Sequence, residues 1–181
     1  DLEVVDEYVQ VKVLDRGRPA DEVLPELLRS AAGSIQFPKT MRWGAETRFA
    51  RPVRWLVAML GGDVLEMDYA GVKAGNETAG FRFWSPGPHR LAGASDYESV
   101  LASNMVVADH EKRRSDIARS LADTAAESCG GSLVEDDGLL EEVTFLVEYP
   151  TVFAGRFSER FLRLPRDVVV AAMKGHQRYF A

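Results

Sequence analysis

Cysteine is nearly absent from this 181-residue chain: Cys129 stands alone, and no CxxC spacing of a metal site occurs. A single cysteine cannot form an internal disulfide, so we expect a reducing compartment. Long apolar runs are also missing, since no stretch approaches the ~20 residues of a membrane span, and no signal-peptide pattern is visible. These absences predict a soluble, cytoplasmic protein.

Recognisable catalytic and metal-binding patterns are missing as well. The three histidines, His89, His110 and His176, have no HxH or HxxxH spacing, which predicts that no metal is bound. No GxSxG nucleophile motif, phosphate-binding loop or dinucleotide fingerprint occurs. Cys129 follows a predicted helix, whose negative C-terminal end disfavours a thiolate, so we expect an inert thiol.

What is present is the composition of an ordinary globular protein, 46% hydrophobic and 28% charged. A chain of this length buries roughly 70% of the surface that its extended form exposes, so it can form a core without disulfides or structural metals. We expect a leading strand-helix segment over residues 1–35 and a main α+β domain over residues 36–181, with one continuous domain 1–181 as the alternative. Neither end looks like a natural terminus, so we also expect a longer parent polypeptide.

Charge is unevenly distributed along the chain. The formal net charge of −6 argues against indiscriminate coating of nucleic acid. From residue 36 to 54, however, five cations face one acid, whereas residues 127–142 contain six acids and no Lys or Arg. This segregation predicts a local basic face on an acidic body.

Apolar residues recur at helical spacing in five segments: residues 19–33, 95–102, 109–128, 136–147 and 166–173. Asp109 is a predicted N-cap, and Gly130-Gly131 is a predicted helix end. The acids Glu135, Asp136 and Asp137 could hold a divalent cation. Capping of the helix that follows explains them more simply, because carboxylates favour a helix N-terminus.

Extended patterns occur in six further segments: residues 4–14, 53–60, 64–69, 78–84, 106–107 and 151–154. Gly61-Gly62-Asp63 predicts a tight β-hairpin between the second and third of these. Residues 34–52 lack a clean period and contain Pro38 and Pro52, which predicts a surface loop. The fold class that follows is α+β, a mixed or antiparallel sheet with several packed helices.

Several short strings, in order, carry a family resemblance: Phe37-Pro38-Lys39-Thr40-Met41-Arg42-Trp43-Gly44, Phe49-Ala50-Arg51-Pro52-Val53-Arg54-Trp55, Gly80-Phe81-Arg82-Phe83, Leu140-Glu141-Glu142-Val143, Leu146-Val147-Glu148-Tyr149-Pro150 and Met173-Lys174-Gly175-His176-Gln177-Arg178-Tyr179-Phe180. From about Leu27 onward the chain resembles an internal part of the β subunit of bacterial glycyl-tRNA synthetase.

The resemblance implies a ligase subunit, part of a cytoplasmic α2β2 aminoacyl-tRNA synthetase that joins glycine to its tRNA using ATP. It places the ATP site and the ligation chemistry on the α subunit, so no cofactor is expected in this chain. The expected partners are glycine tRNA, the α subunit and the remaining β-subunit domains. It also implies a domain like the editing-type domain of the phenylalanyl-tRNA synthetase β subunit.

The basic-aromatic stretch is the main candidate RNA site, because cations contact phosphates while unpaired bases stack on aromatic rings. Its candidate RNA-binding residues are Lys39, Arg42, Trp43, Arg48 and Arg51. The alternatives are that Trp43, Phe49 and Trp55 are core residues and that the arginines pair with acids, within the chain or across a subunit interface. For Trp55, which leads into a predicted buried strand, the core interpretation is favoured.

Further candidate RNA-binding residues lie in two later segments. Arg82 lies in an aromatic stretch, and Lys174, His176 and Arg178 lie in the last eight residues. The C-terminal group could instead be the polar outer face of a strand.

Three functions remain open. The first is a noncatalytic segment that binds and positions tRNA. The second is a protein-protein scaffold that docks the α subunit or other β-subunit domains without RNA contact. The third, suggested only by likeness of domain type, is hydrolytic editing, for which the need is low because a pocket for glycine excludes larger amino acids sterically.

Overall fold

The computed structural model describes residues 2–5, 8–11, 13, 16–44 and 46–181. The chain divides into two compact units, Asp1–Asn76 and Glu77–Ala181, here called the first and second units. The predicted division into residues 1–35 and 36–181, with one continuous domain as its alternative, stays a prediction. Each unit combines helical structure with short strands, a single helix in the described part of the first unit and several in the second, so the predicted α+β class is confirmed.

The first unit begins with an antiparallel hairpin of β1 (Leu2–Val5) and β2 (Tyr8–Val11). The prediction of one strand over residues 4–14 is wrong, because Val5 and Tyr8 belong to two strands that pair with each other in antiparallel register. Alternation predicts extended backbone but does not show where that backbone turns. The predicted end of the strand at Leu14 lies outside the described residues.

Helix α1 (Ala20–Ser34) follows as predicted, with Asp21 and Glu22 in its first turn. Two contacts join it to strand β8 (Asp68–Tyr69). The Arg29 guanidinium pairs with the Asp68 carboxylate at 2.9 Å, and the Tyr69 hydroxyl donates to the Ala32 carbonyl at 3.2 Å. The helix is therefore held against the sheet of this unit.

That sheet has the order β5 (Leu56–Val57), β9 (Val72–Gly75), β8, with β5 parallel and β8 antiparallel to β9. Strands β6 (Met59–Leu60) and β7 (Asp63–Val64) form the predicted hairpin, and Gly61 adopts the positive φ of 61° that its turn requires. Ala58, Leu65 and Met67 form the core, against which Leu24, Leu56 and Ala74 pack.

Two predictions for this region need correction. The strand predicted from Val53 begins only at Leu56, and Trp55 is 50% exposed rather than part of the core. No described strand pairs with residue 55, so the Trp55 ring is not covered by the sheet. The predicted surface loop over residues 34–52 is mostly exposed, but it contains two short paired strands, β3 (Met41–Arg42) and β4 (Arg48–Phe49).

The second unit starts with β10 (Glu77–Thr78) paired to β11 (His89–Arg90). The strand predicted over residues 78–84 is wrong beyond Thr78, because the Ser85 N–H donates to the Phe81 carbonyl and closes a turn there. Helix α2 (Tyr97–Ser103) then follows in its predicted place.

Helices α3 (His110–Thr124) and α4 (Asp137–Leu146) pack together and bury Ile117, Leu139 and Thr144. Asp109 caps α3 as predicted, accepting from the Glu111 N–H at 2.8 Å. A π-helical turn over Ala125–Cys129 continues α3 and ends at Gly130, whose φ is 62°.

The last part of the second unit contains a 3₁₀ turn (Glu159–Arg163), α5 (Arg166–Ala172) and a π-helical turn (Met173–Gln177). The helix predicted over residues 166–173 is confirmed, whereas residues 106–107 and 151–154 form no strand. The Val107 N–H instead donates to the Glu148 carbonyl at 2.8 Å, which is one hydrogen bond and not the repeated bonding of a strand pair. No helix in the described part of the chain is both long and apolar enough to span a bilayer.

Candidate nucleic-acid interface

The register of β3 and β4, here called the arginine hairpin, sorts its four paired residues onto two faces. Met41 lies opposite Phe49, and Arg42 lies opposite Arg48. Because successive side chains of a strand point to opposite faces, the two arginines share one face and the two apolar residues share the other.

On the apolar face, Phe49 anchors the hairpin on the first unit, whereas Met41 is 60% exposed. The Phe49 ring meets Phe37 edge-on, with centroids 4.7 Å apart, and meets Tyr69 at 6.0 Å. Tyr69 is buried in the unit and holds α1. The indole N–H of Trp43 donates to the Phe49 carbonyl at 3.0 Å, which ties the connection back to β4.

The other face carries the positive charge of Arg42 and Arg48, with which no acid in the described part of the chain pairs. All five cations of residues 36–54 are exposed, and they form no ion pair within the described residues: Lys39, Arg42, Arg48, Arg51 and Arg54. Like charges directly opposite each other in a strand pair are destabilising. An anion bound at Arg42 and Arg48 would relieve that repulsion.

Aromatic surface accompanies these cations. Trp43 is 43% exposed and Trp55 is 50% exposed, whereas Phe49 is half-buried. The sequence leaves open that Trp43, Phe49 and Trp55 are core residues. Of these three, only Phe49 turns inward. Exposed indoles beside unpaired guanidinium groups match the chemistry of binding to phosphate and unpaired bases.

The C-terminal cations of the second unit have acidic partners. Lys174 Nζ lies 2.5 Å from Asp136 Oδ2, and Arg178 Nε lies 2.6 Å from Glu142 Oε1. The Lys174 ammonium, with the Leu139 N–H, holds the pKa of the Asp136 carboxyl below its usual range. These two cations fasten the C-terminal segment to α4, while His176 is exposed. RNA contact by the three residues stays a prediction.

Arg82 lies in the turn after β10, exposed, with its guanidinium carbon 5.6 Å from the centroid of the Phe83 ring. No carboxylate among the described residues pairs with it. In this respect Arg82 is like the cations of the arginine hairpin, although it belongs to the other unit.

Asp136 and His89 have structural partners. The Asp136 carboxylate accepts from the Leu139 N–H at 2.9 Å, so the capping interpretation is confirmed for Asp136. His89 is half-buried beside Ser85, with its Nε2 3.2 Å from the Ser85 hydroxyl. In the described ranges no three His, Cys, Asp or Glu residues gather as metal ligands would. The Cys129 side chain lies outside the description.

An apolar cavity of about 690 Å³ in the second unit was not predicted from the sequence. Its walls include Val147, Phe157, Phe161, Val169, Met173 and Phe180. Phe153, which also lines it, is 82% exposed. The only sequence signal was the density of aromatic and aliphatic residues after residue 150, which is equally typical of a core.

Comparison with known proteins gives a consistent result. A family model described as glycyl-tRNA synthetase beta subunit matches residues 1–181. The glycine-tRNA ligase beta subunit of Moorella thermoacetica is 47% identical over 175 residues, 96% of this chain and 25% of the relative. The same subunit of Myxococcus xanthus is 46% identical over 176 residues, 97% of this chain and 25% of the relative. This chain thus spans about a quarter of the length of the curated relatives it matches.

Proposed function

The chain belongs to the glycyl-tRNA synthetase β-subunit family, and from that membership we propose that it holds glycine tRNA for the enzyme. In this proposal the α subunit carries out the ATP-dependent ligation, and the assembly is an α2β2 heterotetramer in the cytoplasm. This chain then contributes positioning rather than a catalytic group.

The observation that carries the proposal is the pair Arg42 and Arg48, opposed across the arginine hairpin, exposed and without carboxylate partners in the described residues. Guanidinium groups bind phosphate oxygens bidentately. Lys39 and Arg51, three residues along the chain from the two arginines, extend the positive charge. Trp43 offers a ring for an unpaired base.

The test is the double substitution Arg42→Ala with Arg48→Ala, assayed by anisotropy with labelled glycine tRNA at several salt concentrations. We expect about tenfold weaker binding at low salt, because two phosphate contacts are lost. The slope of log affinity against log salt should become shallower by about one for each arginine removed.

A matched control removes two positive charges from α3 through Arg114→Ala with Arg119→Ala, since both of those arginines pair with acids. This variant should bind tRNA as the wild type does. If the hairpin variant keeps the wild-type affinity and salt slope, or if the control loses as much, the hairpin is not the RNA contact.

The apolar cavity favours a second candidate function, docking of the α subunit or of other β-subunit domains. Contiguous exposed apolar surface of this kind marks interaction sites in soluble proteins. Immobilised α subunit and labelled tRNA, each presented to the same chain, separate the two functions. Capture by the α subunit without RNA binding would replace the tRNA proposal with the scaffold.

A further inference from the structure

The turn over residues 81–85 of the second unit, here called the aromatic turn, is held in one conformation. The Phe81 N–H donates to the Asn104 carbonyl at 2.9 Å, and the Ser85 hydroxyl donates to the Asn104 side-chain oxygen at 2.7 Å. Gly80 allows this approach, since a Cβ there would lie 2.6 Å from the Ser85 carbonyl oxygen and 2.7 Å from the Asn104 Cβ.

This braced turn presents two large rings to solvent. Phe83 is 77% exposed and Trp84 is 73% exposed, whereas Phe81 between them is half-buried. The Phe81 ring centroid lies 5.9 Å from that of Phe83 and 5.2 Å from that of Trp84. Phe81 therefore supports both outer rings and limits their freedom before any ligand binds, which lowers the entropy cost of binding.

A cation accompanies the rings. The Arg82 guanidinium lies beside Phe83 and has no acidic partner among the described residues. Aromatic faces next to an unpaired arginine suit a ligand that is flat and apolar on one part and anionic on another. An unpaired nucleotide combines both properties, since its base stacks and its phosphate carries charge.

We infer that the aromatic turn is a stacking platform for an unpaired base of RNA, with Trp84 and Phe83 as the stacking residues and Arg82 as the phosphate contact. This inference rests on the proposed tRNA-holding function and adds a preference for single-stranded over paired nucleotides. A protein ligand is less well matched, because the apolar cavity of this unit is lined by none of the residues 81–85.

The experiment compares two RNA probes, a hairpin with a four-nucleotide unpaired 3′ end and the same hairpin with a blunt end, on the full chain. The wild type should bind the first probe about tenfold more tightly, because each stacked base adds affinity. The variant Phe83→Ala with Trp84→Ala should bind both probes alike and keep the wild-type salt slope. Trp84→Phe, which retains a ring, should keep part of the preference.

Phe153→Ala is the matched control, since Phe153 is an equally exposed aromatic ring of the same unit outside the turn. It should retain the preference for the unpaired end. Because Phe83 and Trp84 are mostly exposed, the double variant should also keep the wild-type thermal midpoint, so a loss of binding is not a loss of fold.

The possible failures are distinguishable. If the double variant retains the preference for the unpaired end, the platform is wrong while tRNA holding by the arginine hairpin stands. If neither probe binds the wild type, the proposed function fails and the platform fails with it. If the double variant loses capture by the α subunit but binds both probes as the wild type does, the turn is a protein contact and the inference is overturned.

Discussion

The neighbours of a residue decide its role in this chain more than its type does. Arg42 and Arg178 are both arginines beside aromatic residues in the sequence, yet Arg178 pairs with Glu142 and Arg42 pairs with no acid in the described residues. Gly80 shows the same dependence. It is required because Ser85 and Asn104 approach its backbone closely, not because of its own φ.

Gly80→Ala is therefore expected to destabilise the chain by about 1–3 kcal/mol, because the added Cβ meets backbone and Cβ atoms that cannot rotate away. Gly138→Ala is the control, since its Cβ would meet only the Asp136 carboxylate at an ordinary 3.6 Å. That helical substitution should be neutral or stabilising by up to about 1 kcal/mol. Urea unfolding of both variants measures the difference, and equal effects would contradict the close approach at Gly80.

At the scale of elements, α3 and α4 begin where the sequence supplies a capping acid. Asp109 and Asp136 each precede a helix and accept backbone N–H groups of its first turn. Asp136 has a second role, because its carboxylate also pairs with Lys174 of the C-terminal π-helical turn. One residue thus starts α4 and fastens a distant segment to it.

Asp136→Asn separates these roles, since asparagine still caps a helix but does not pair with an ammonium group. The pKa of Asp136 is lowered in the folded chain, so its contribution is fully present above the ordinary value of 3.8 and is lost as pH falls through the lowered folded value. We expect the wild type to be more stable than Asp136→Asn near neutrality, and the two to converge as the pH falls below 3.8 and through the lowered folded pKa.

Urea midpoints of the wild type, Asp136→Asn and Asp136→Ala across this pH range provide the measurement. Alanine should be the least stable near neutrality, because it removes the cap as well as the charge. A gap between wild type and Asp136→Asn that stays constant down to the lowest pH would argue against the charge contribution of the Lys174 pair.

Across the whole molecule, the net charge is negative while a local stretch is positive. An acidic body repels a polyanion at a distance, so RNA binding depends on the local cations and should weaken steeply with salt. Apolar surface is also unevenly placed, because large exposed apolar residues are frequent from residue 145 onward in the second unit.

The exposed cavity predicts self-association of the chain when no partner is present. Phe153→Ser should reduce both the binding of an apolar fluorescent dye and the sedimentation of larger species at high concentration. Phe83→Ser, a matched loss of an exposed ring outside the cavity, should leave self-association unchanged. If both variants behave as the wild type does, the cavity is not the surface through which the chain self-associates.

The sequence by itself determined the features that depend on near neighbours. Helical spacing predicted α1, α3 and α4, with acids in the first turn of α1 and capping acids before α3 and α4, and Gly61-Gly62 predicted the hairpin of β6 and β7. Caps, turns and periodicity act over a few residues, so their physical causes lie within the segment itself. The short strings that resemble the family could be recognised in the same way.

Only the tertiary structure decided which cations have no acidic partner among the described residues, which aromatic rings face solvent and where the apolar cavity lies. The ion pair of Arg178 and Glu142 joins residues 36 apart along the chain, and no local pattern announces it. The exposure of Trp55 depends on which strands lie beside it, and the opposition of Arg42 and Arg48 depends on a strand register inside an apparent loop. Ion pairing, strand pairing and burial are set by contacts between segments that are distant in sequence. They therefore cannot be predicted from the residues of any one segment.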